Sequence, residues 1–303
     1  MPHTLMRPDA VAARIAAGRP LVIAGDEALL AGLPRGRWIG GTAPAPDDGR
    51  LIVTELPEAA TAVAIRSYDE RTLPGIGAAA PENGFTVLAI PGFSAPHAAY
   101  AEGVFRVEGL FDRPLVGWIA AEHGARTPKV FDGVTGAVSD RVAVAAHVWL
   151  PPRLTPRAHV VNPFRPGDGD ELVFGASGFS ARHCRIGGEP VNLAAHMRER
   201  GIGLDRPLVA DCFGTPVNVA IRAVNEDAGE VRFCAPVFAH LRYRFAAPRT
   251  QEAGPALPAG VRPAFACGCV RSPPPAAGLL GYGEIAYVVH NQTLVYLTVD
   301  EAG

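Results

Sequence analysis

Long apolar runs are absent from this sequence, and so is any strong excess of charge of one sign. No segment reaches the ~18 apolar residues that a membrane-spanning helix needs. The formal net charge over 303 residues is -2, so no global field attracts nucleic acid or an anionic membrane. The N-terminal stretch also lacks the apolar core of a secretory signal. We therefore expect a cytoplasmic protein whose partners include neither nucleic acid nor a membrane.

Cysteine is also scarce, and its five residues form an uneven, odd-numbered set. Such a set favours reduced thiols over a disulfide framework. The cysteines are Cys184, Cys212, Cys234, Cys267 and Cys269. The last two alternate on a predicted strand and so face the same side. A zinc site needs four ligands, and the sequence offers no second cysteine pair and no close histidine pair. We predict neither a metal nor a cofactor.

Apolar residues make up 48% of the chain, which is enough for sizeable cores. The 34 glycines and 29 prolines interrupt the chain so often that helices must be short. Helix signals with a cap or a stop residue lie at 8–18, 27–33, 94–103 and 191–201. Buried or alternating strand patterns fill most of the rest. We predict an α/β protein of the mixed α+β kind.

The segment PPRLTP at 151–156 divides the chain, because three prolines in six residues do not fit a central strand. It separates residues 1–153 from residues 154–303. We predict two similar subdomains, each a mixed sheet with a few short helices. The two parts also echo each other: PLVIAG followed by RWIGGTAP, and later FACGCV followed by LLGYGEIA. Each pair is typical of a strand, a spacer and a second strand that ends in a glycine-rich turn.

Several motifs along the chain resemble those of one known family. PRGRWIGGTAP and KVFDGVTGAVSDRVAVAAHVWL stand in the first half, and ACGCV with LLGYGEIAYVVHNQTLVYLTV in the second. They are similar to the N- and C-terminal subdomains of FIST sensory domains. PLVADCFG and VRFCAPVF look like motifs of uncharacterised bacterial FIST-like proteins. The resemblance implies a FIST-N-like subdomain up to residue 153 and a FIST-C-like subdomain after it. It further implies a small-ligand sensor with a signalling partner.

The two glycine-rich segments predict a pocket where they meet. In RWIGGT, the backbone amides of Gly40 and Gly41 and the hydroxyl of Thr42 would hold an anionic group. Glu284 would accept hydrogen bonds from an amine or an amide. This mixed polarity suits an amino acid or small peptide, which the FIST resemblance also implies. Each segment has a plainer interpretation, a tight turn for the first and a β-bulge for the second. The predicted ligand-binding residues are Arg37, Gly40, Gly41, Thr42, Cys267, Arg271, Tyr282, Gly283 and Glu284.

Two alternatives stay open beside this small-molecule-binding, sensor-like function. Ser94 and His97 form a Ser-x-x-His sequence after a buried strand, which suits a hydrolase with Ser94 as nucleophile. The Gly-x-Ser-x-Gly elbow is absent, however, and Pro96 after Ser94 is typical of a capped helix start. We therefore favour a binding protein over an enzyme and assign no catalytic residue. The second alternative is a non-catalytic partner-binding protein, which would show a large exposed apolar patch.

Overall fold

The computed structural model describes residues 3–44, 48–121, 127–212, 214–248, 254–272 and 279–302. Across these residues the protein is a mixed α+β structure with several mixed sheets and few, short helices, which confirms the predicted fold class. None of the described helices combines the length and apolar character that crossing a membrane requires. The helices are α1 (Pro8–Ala16), α2 (Glu27–Ala31), α3 (Ile76–Ala79), α4 (Ala95–Gly103) and α5 (Leu193–Glu199).

Two six-stranded sheets are built mainly from the first half of the chain, and each has one parallel pair of strands at its centre. Sheet 1 has the order β1 (His3–Met6), β4 (Leu51–Glu55), β2 (Leu21–Gly25), β3 (Trp38–Thr42), β8 (Val130–Asp132), β9 (Ala137–Ser139). Sheet 2 has the order β24 (Val288–His290), β23 (Gly283–Ala286), β7 (Leu115–Ala120), β6 (Gly84–Pro91), β10 (Ala143–Trp149), β5 (Ala62–Tyr68). In sheet 1 the parallel pair is β2 and β3, and in sheet 2 it is β6 and β7.

The second half contributes three further sheets, of four, six and three strands. Sheet 3 has the order β11 (Leu154–Val161), β25 (Leu294–Glu301), β21 (Phe265–Cys269), β22 (Leu279–Gly281). Sheet 4 has the order β15 (Glu189–Asn192), β14 (His183–Ile186), β12 (Leu172–Val173), β20 (Arg242–Phe245), β16 (Leu208–Cys212), β17 (Thr215–Val219). Sheet 5 has the order β13 (Gly178–Ala181), β19 (Glu230–Val237), β18 (Ile221–Asn225).

Sheet 2 lies at the centre of the molecule because both of its faces are covered. Along β6, Val87 and Ala89 pack into a core shared with strands of sheets 1 and 3. Leu88 and Ile90 pack into the opposite core, together with Tyr100 of α4. Burial on both faces explains why β6 is a continuous apolar run instead of an alternating pattern. A separate core between sheets 4 and 5 takes in one face of α5.

The chain crosses between sheets at the two places where the sequence shows an unusual pattern. After Trp149 it leaves sheet 2 and enters β11, where Pro156 lies in an edge strand, as the missing N–H requires. At Tyr282 it passes from β22 in sheet 3 to β23 in sheet 2. Strands β23 and β24 thus follow the predicted boundary at residue 153 in sequence, yet they pair within sheet 2.

The predicted echo between the two halves has a structural counterpart. Strands β2 and β3 pair in parallel, and so do β21 and β22. The turn predicted within RWIGGT is wrong, however, because β3 continues through both glycines to Thr42. A Cβ atom on Gly41 would lie 3.0 Å from the Trp118 ring and 3.3 Å from the Ala120 Cβ atom. Glycine therefore stands there to let a tryptophan of sheet 2 pack against sheet 1, and no turn requires it.

Candidate functional site

The turn from β6 into α4 is the first component of the candidate site. It follows a strand of the parallel pair, at the carboxyl edge where open α/β sheets commonly bind ligands. Ser94 caps α4, since its Oγ atom accepts a hydrogen bond from the His97 N–H at 3.3 Å and donates one to the Pro91 carbonyl at 2.7 Å. Phe93, just before the cap, has φ +57°. Such a left-handed conformation is costly for an aromatic residue and marks a place to look for function.

The ring of His97 is fixed by this turn. Its Nδ1 atom accepts a hydrogen bond from the Phe93 N–H at 3.0 Å, so the neutral ring carries its proton on Nε2. Burial, with a smaller contribution from the positive charge of Arg222, lowers the pKa of His97 to about 3. The residue is 0% exposed, and Nε2 has no hydrogen-bond partner among the described residues. His97 therefore presents a single, buried N–H donor at neutral pH.

The second component is a pair of irregularities in sheet 5. The register between β18 and β19 shifts between Ile221 and Ala223, which leaves Arg222 as an extra residue in a β-bulge. The register between β13 and β19 also breaks, between Gly178 and Ser180, so Phe179 has no partner in the ladder. Bulges bend a strand and re-aim its side chains, and they are common beside functional sites.

These irregular residues converge on one cavity of about 260 Å³, which we call the Phe93 cleft. A water molecule has a share of about 30 Å³ in the liquid, so the cleft has room for a small organic molecule. The ring centroid of Phe179 lies 5.2 Å from that of His97, and its plane is nearly perpendicular. The main lining residues are Phe93, Ser94, His97, Phe179, Arg222 and Arg232.

The cleft carries positive charge that the protein leaves partly uncompensated. The guanidinium carbon of Arg222 lies 3.7 Å from the centroid of the Phe93 ring, a cation–π contact. No carboxylate of the described residues lies within 4.0 Å of this guanidinium. Arg232, on the neighbouring strand, is instead paired with Glu230 at 2.9 Å. Arg222 is therefore the cation that is available to a bound anion.

Arg271 holds the bulge from behind. Its Nη1 atom donates to the Ile221 carbonyl at 3.0 Å, and its Nη2 atom donates to the Arg222 carbonyl at 3.2 Å. A bulge leaves backbone groups without ladder partners, and these two bonds supply them. The Arg271 carbonyl in turn accepts from the Gln292 amide at 3.3 Å. The sequence predicted Arg271 as a ligand-binding residue, and the structure places its side chain against the backbone of the cleft.

Behind the cleft lies a closed polar region that we call the Glu284 cluster. Glu284 is 0% exposed, and its Oε1 atom accepts from the Thr293 N–H at 2.9 Å. Its partners in the β-ladder are Trp118 and His290, so the three side chains lie on one face of sheet 2. Burial raises the pKa of Glu284 well above its ordinary value. Burial thus favours the neutral, protonated form of this carboxyl group.

Several polar atoms of this region have no partner among the described residues. Those that belong to buried residues are Trp118 Nε1, Glu284 Oε2, His290 Nδ1, Gln292 Oε1 and Thr293 Oγ1. Gln292 also has φ +59°. Unpaired polar atoms in a buried site are costly. The region is thus a strained polar core, and Tyr282 separates it from the cleft.

Tyr282 forms the wall between the two regions. Its ring centroid lies 5.1 Å from that of Phe93, and its carbonyl accepts from Asn291 at 3.2 Å on the side of the cluster. A Cβ atom on Gly92 would come within 2.7 Å of the Tyr282 ring. Glycine at position 92 therefore allows the tyrosine to pack against the β6–α4 turn. Tyr282 was predicted as a ligand-binding residue of the GYGEIA segment, and it lies beside a cleft that other segments form.

The structure brings most of the predicted site residues into one neighbourhood. Gly41 packs on Trp118, and Trp118 pairs with Glu284 in the ladder. Gly283 begins the same strand as Glu284. The Cys267 thiol donates to the Gly117 carbonyl at 2.9 Å. Gly41 of the first glycine-rich segment and Glu284 of the second are therefore both neighbours of Trp118.

The ligand-binding roles predicted for the RWIGGT segment are not supported by the structure. The amides of Gly40 and Gly41 lie in a central strand, where β2 and β8 pair with β3 on its two sides. Thr42 Oγ1 accepts from the Lys129 N–H at 3.0 Å. These groups are engaged within sheet 1, so the predicted anion-holding turn is not formed. Arg37 lies at the opposite end of β3 from Thr42, and its guanidinium donates to the Gly18 carbonyl.

The cysteines are buried thiols in the described structure. Burial raises the pKa of both Cys267 and Cys269, with the nearby Glu284 as a further cause. Raised values keep both sulfurs protonated and poorly nucleophilic. The part of the chain that the structure describes contains no group of three or more His, Cys, Asp or Glu side chains placed to hold a metal ion.

The residues that carry the cleft were missed by sequence reasoning, with the exception of Ser94 and His97. Those two were noted as a hydrolase pair, but the His97 ring is held by the Phe93 N–H and not by the serine hydroxyl. Phe179 and Arg222 lie in strands of ordinary composition. Their bulges depend on pairing with β19, and the sequence shows no local signal for them.

Comparison with known proteins places the chain in one family. Residues 6–300 match the model of DUF6976, a family of unknown function. No curated protein and no solved structure matches the chain. The resemblance to FIST sensory domains therefore stays a prediction. Because the family model spans nearly the whole chain, this protein belongs to DUF6976.

Proposed function

We propose that this protein is a small-molecule-binding, sensor-like protein and that its ligand occupies the Phe93 cleft. The supporting observation is the convergence of three backbone irregularities, at Phe93, Phe179 and Arg222, on one cavity of about 260 Å³. Strained and bulged residues persist where a surrounding structure keeps them, and they cluster at ligand sites. An amino acid or small peptide, as the FIST resemblance implies, fits a cleft of this size.

The geometry favours binding over hydrolysis. A serine hydrolase needs a base that takes the proton of the nucleophile. Here the Nδ1 atom of His97 accepts from a backbone N–H, and the Ser94 hydroxyl donates to the Pro91 carbonyl. Both groups are engaged in shaping the turn. The cytoplasmic location and a signalling partner, both expected from the sequence, belong to the same proposal.

Partner binding keeps one observation in its favour. Phe111 is 50% exposed and stacks on Phe105 and Tyr287 at ring-centroid distances of 6.5 and 5.8 Å. An exposed aromatic group of this kind is typical of interaction surfaces. It lies outside the Phe93 cleft, so the two functions are separable by mutation.

Native mass spectrometry of the protein purified from its own cytoplasm tests the proposal. We expect a co-purified small molecule that the Phe179→Ala variant retains at less than one tenth of the wild-type level. The matched control is Phe111→Ala, which removes an exposed ring elsewhere and should retain the molecule fully. Retention by Phe179→Ala at the wild-type level would refute the location. If the wild-type protein and Phe179→Ala both retain the molecule and only Phe111→Ala loses it, the molecule binds at the exposed aromatic surface instead.

A further inference from the structure

The available charge of the cleft narrows the class of its ligand. Arg222 carries a guanidinium that no described carboxylate neutralises within 4.0 Å. A guanidinium binds carboxylate and phosphate groups through strong, charge-assisted hydrogen bonds. The described residues around it add no compensating acid except Glu230, which is paired with Arg232. The balance of charge in the cleft is therefore positive.

The neutral donor of His97 adds a second point of recognition. Its Nε2 proton lacks a partner among the described residues, and the residue lines the same cavity. A buried donor without an acceptor costs free energy, which a ligand oxygen would recover. Because the ring is neutral, it does not contribute charge. It selects for an acceptor atom, whereas Arg222 selects for an anion.

The rest of the lining is aromatic. Phe93, Phe179 and Phe233 all line the cleft. Flat apolar groups pack well against such rings, in offset-stacked or edge-on arrangements. A site with one cation, one neutral donor and aromatic walls fits a molecule that is charged at one end and flat at the other.

We propose that the Phe93 cleft binds a small oxyanion that carries a flat apolar group, with Arg222 on the anion and His97 Nε2 donating to an oxygen of the same ligand. This inference rests on the proposed function and specifies its ligand class. Arg271 is a positioning residue in the same site, because its two bonds to the Ile221 and Arg222 carbonyls hold the bulge from which the Arg222 side chain projects. The anion is a carboxylate or a phosphate, and the two are separated by experiment.

Isothermal titration calorimetry with a matched pair of probes tests the ligand class. The probes are 3-phenylpropanoate and 3-phenylpropanamide, which share their ring and differ in the negative charge. We expect the acid to bind at least about tenfold more tightly, the factor that one charge-assisted hydrogen bond supplies. Phenyl phosphate in place of the acid identifies the preferred anion. Acetate, which lacks the ring, should bind at least about tenfold more weakly than the phenyl acid, since the ring contact is lost.

Variants assign the recognition to residues. Arg222→Gln should abolish the preference for the acid and still bind the amide, while Arg157→Gln, a change at an exposed arginine of β11, should retain the preference. Arg271→Lys should reduce the ratio of acid to amide affinity, because a lysine cannot bridge two carbonyls in the geometry of a guanidinium. A merely structural role for Arg271 would weaken both probes equally. His97→Gln should weaken both the acid and the amide.

The outcomes separate this inference from the proposed function. Equal binding of acid and amide by the wild-type protein would overturn the anion class and leave small-molecule binding in the cleft intact. A preference for the acid that survives in Arg222→Gln would overturn the role of that residue. Binding of none of the phenyl probes at millimolar concentration would overturn the ligand class. In that case the co-purified molecule in the native mass spectrum still decides the proposed function.

Discussion

The Phe93 cleft and the Glu284 cluster lie on the two sides of Tyr282, yet their ionisable groups differ in exposure to solvent. In the cleft, an exposed arginine keeps its charge and lies over an aromatic ring. In the cluster, burial raises the pKa of Glu284, which is 0% exposed, and so favours the neutral form of its carboxyl group. Both regions also contain a non-glycine residue with positive φ, Phe93 in one and Gln292 in the other.

The difference between the two regions concerns access to solvent. A charged side chain and a strained residue beside an open cavity can contact a ligand. The same features inside a closed core contact no ligand, and they change only the free energy of unfolding. The sequence motif around Glu284 therefore points to the neighbourhood of the site, but the contacts with a ligand are expected on the other side of Tyr282. Each of the following changes tests whether the two regions divide their roles in this way.

The largest effect is expected in the closed region. Trp118 is 0% exposed and packs on Gly41, so Trp118→Ala should lower the free energy of unfolding by about 3–5 kcal/mol. Phe179→Ala, in the partly open cleft, should cost less than half as much. Urea denaturation followed by far-UV circular dichroism measures both. Equal losses would show that the cleft is as much a part of the core as the cluster.

Glu284→Gln should change how stability depends on pH. The folded-state pKa is raised, so below about pH 4 both states of the wild type are protonated and no penalty arises. Above that pH the unfolded state ionises and the wild type loses stability, up to the folded-state pKa. We therefore expect the difference in unfolding free energy between the variant and the wild type to grow in favour of the variant as the pH rises from about 4 to about 7.

The control for this experiment is Glu102→Gln, the same change at an exposed residue. The pH dependence of the unfolding free energy of Glu284→Gln is compared with that of this control. The same pH dependence in both variants would mean that Glu284 ionises normally in the folded protein. It would contradict the closed character of the cluster.

A smaller effect is expected from the backbone at Phe93. Because its φ is +57°, Phe93→Gly should be more stable than Phe93→Ala by about 1 kcal/mol, the cost of a left-handed conformation for a residue with a Cβ atom. Thermal unfolding of the two variants measures the difference. The same pair of changes at Phe179 should give the opposite order, since glycine weakens a strand.

The smallest effect on stability is expected at Arg222. Its side chain is exposed, and its contact is with the Phe93 ring. Arg222→Gln should change the free energy of unfolding by about 0.5 kcal/mol or less, as for most surface positions, while it removes the preference for anionic probes. A loss of several kcal/mol in chemical denaturation would indicate that Arg222 serves the fold instead of a ligand.

The elements of this fold follow from local patterns in the sequence, because caps and periodicity act over a few residues. The Ser94 cap with Pro96 defines the start of α4, and the apolar run of β6 indicates a strand buried on both faces. The turn predicted at RWIGGT failed for a different reason. Gly41 is required by Trp118, a residue of another sheet, and no window of the sequence around Gly41 contains that information.

The site was predicted less well than the fold because its features arise from pairing between distant strands. Tyr282, Arg271 and Glu284 were found through their motif, and they do lie at or behind the wall of the cleft. Arg222 and Phe179 acquire their roles only from register shifts against β19. Such shifts depend on how three strands fit together, which composition and alternation do not specify.

The pairing of β23 with β7 has a consequence for folding during synthesis. Residues Leu115–Ala120 are made long before Gly283–Ala286, their partners in sheet 2. Until the later residues leave the ribosome, the β7 edge of the nascent chain has no partner, and an open apolar edge invites pairing with other chains. Such distant pairing also slows folding. We therefore expect the nascent chain to depend on chaperones until residues 283–286 have been synthesised.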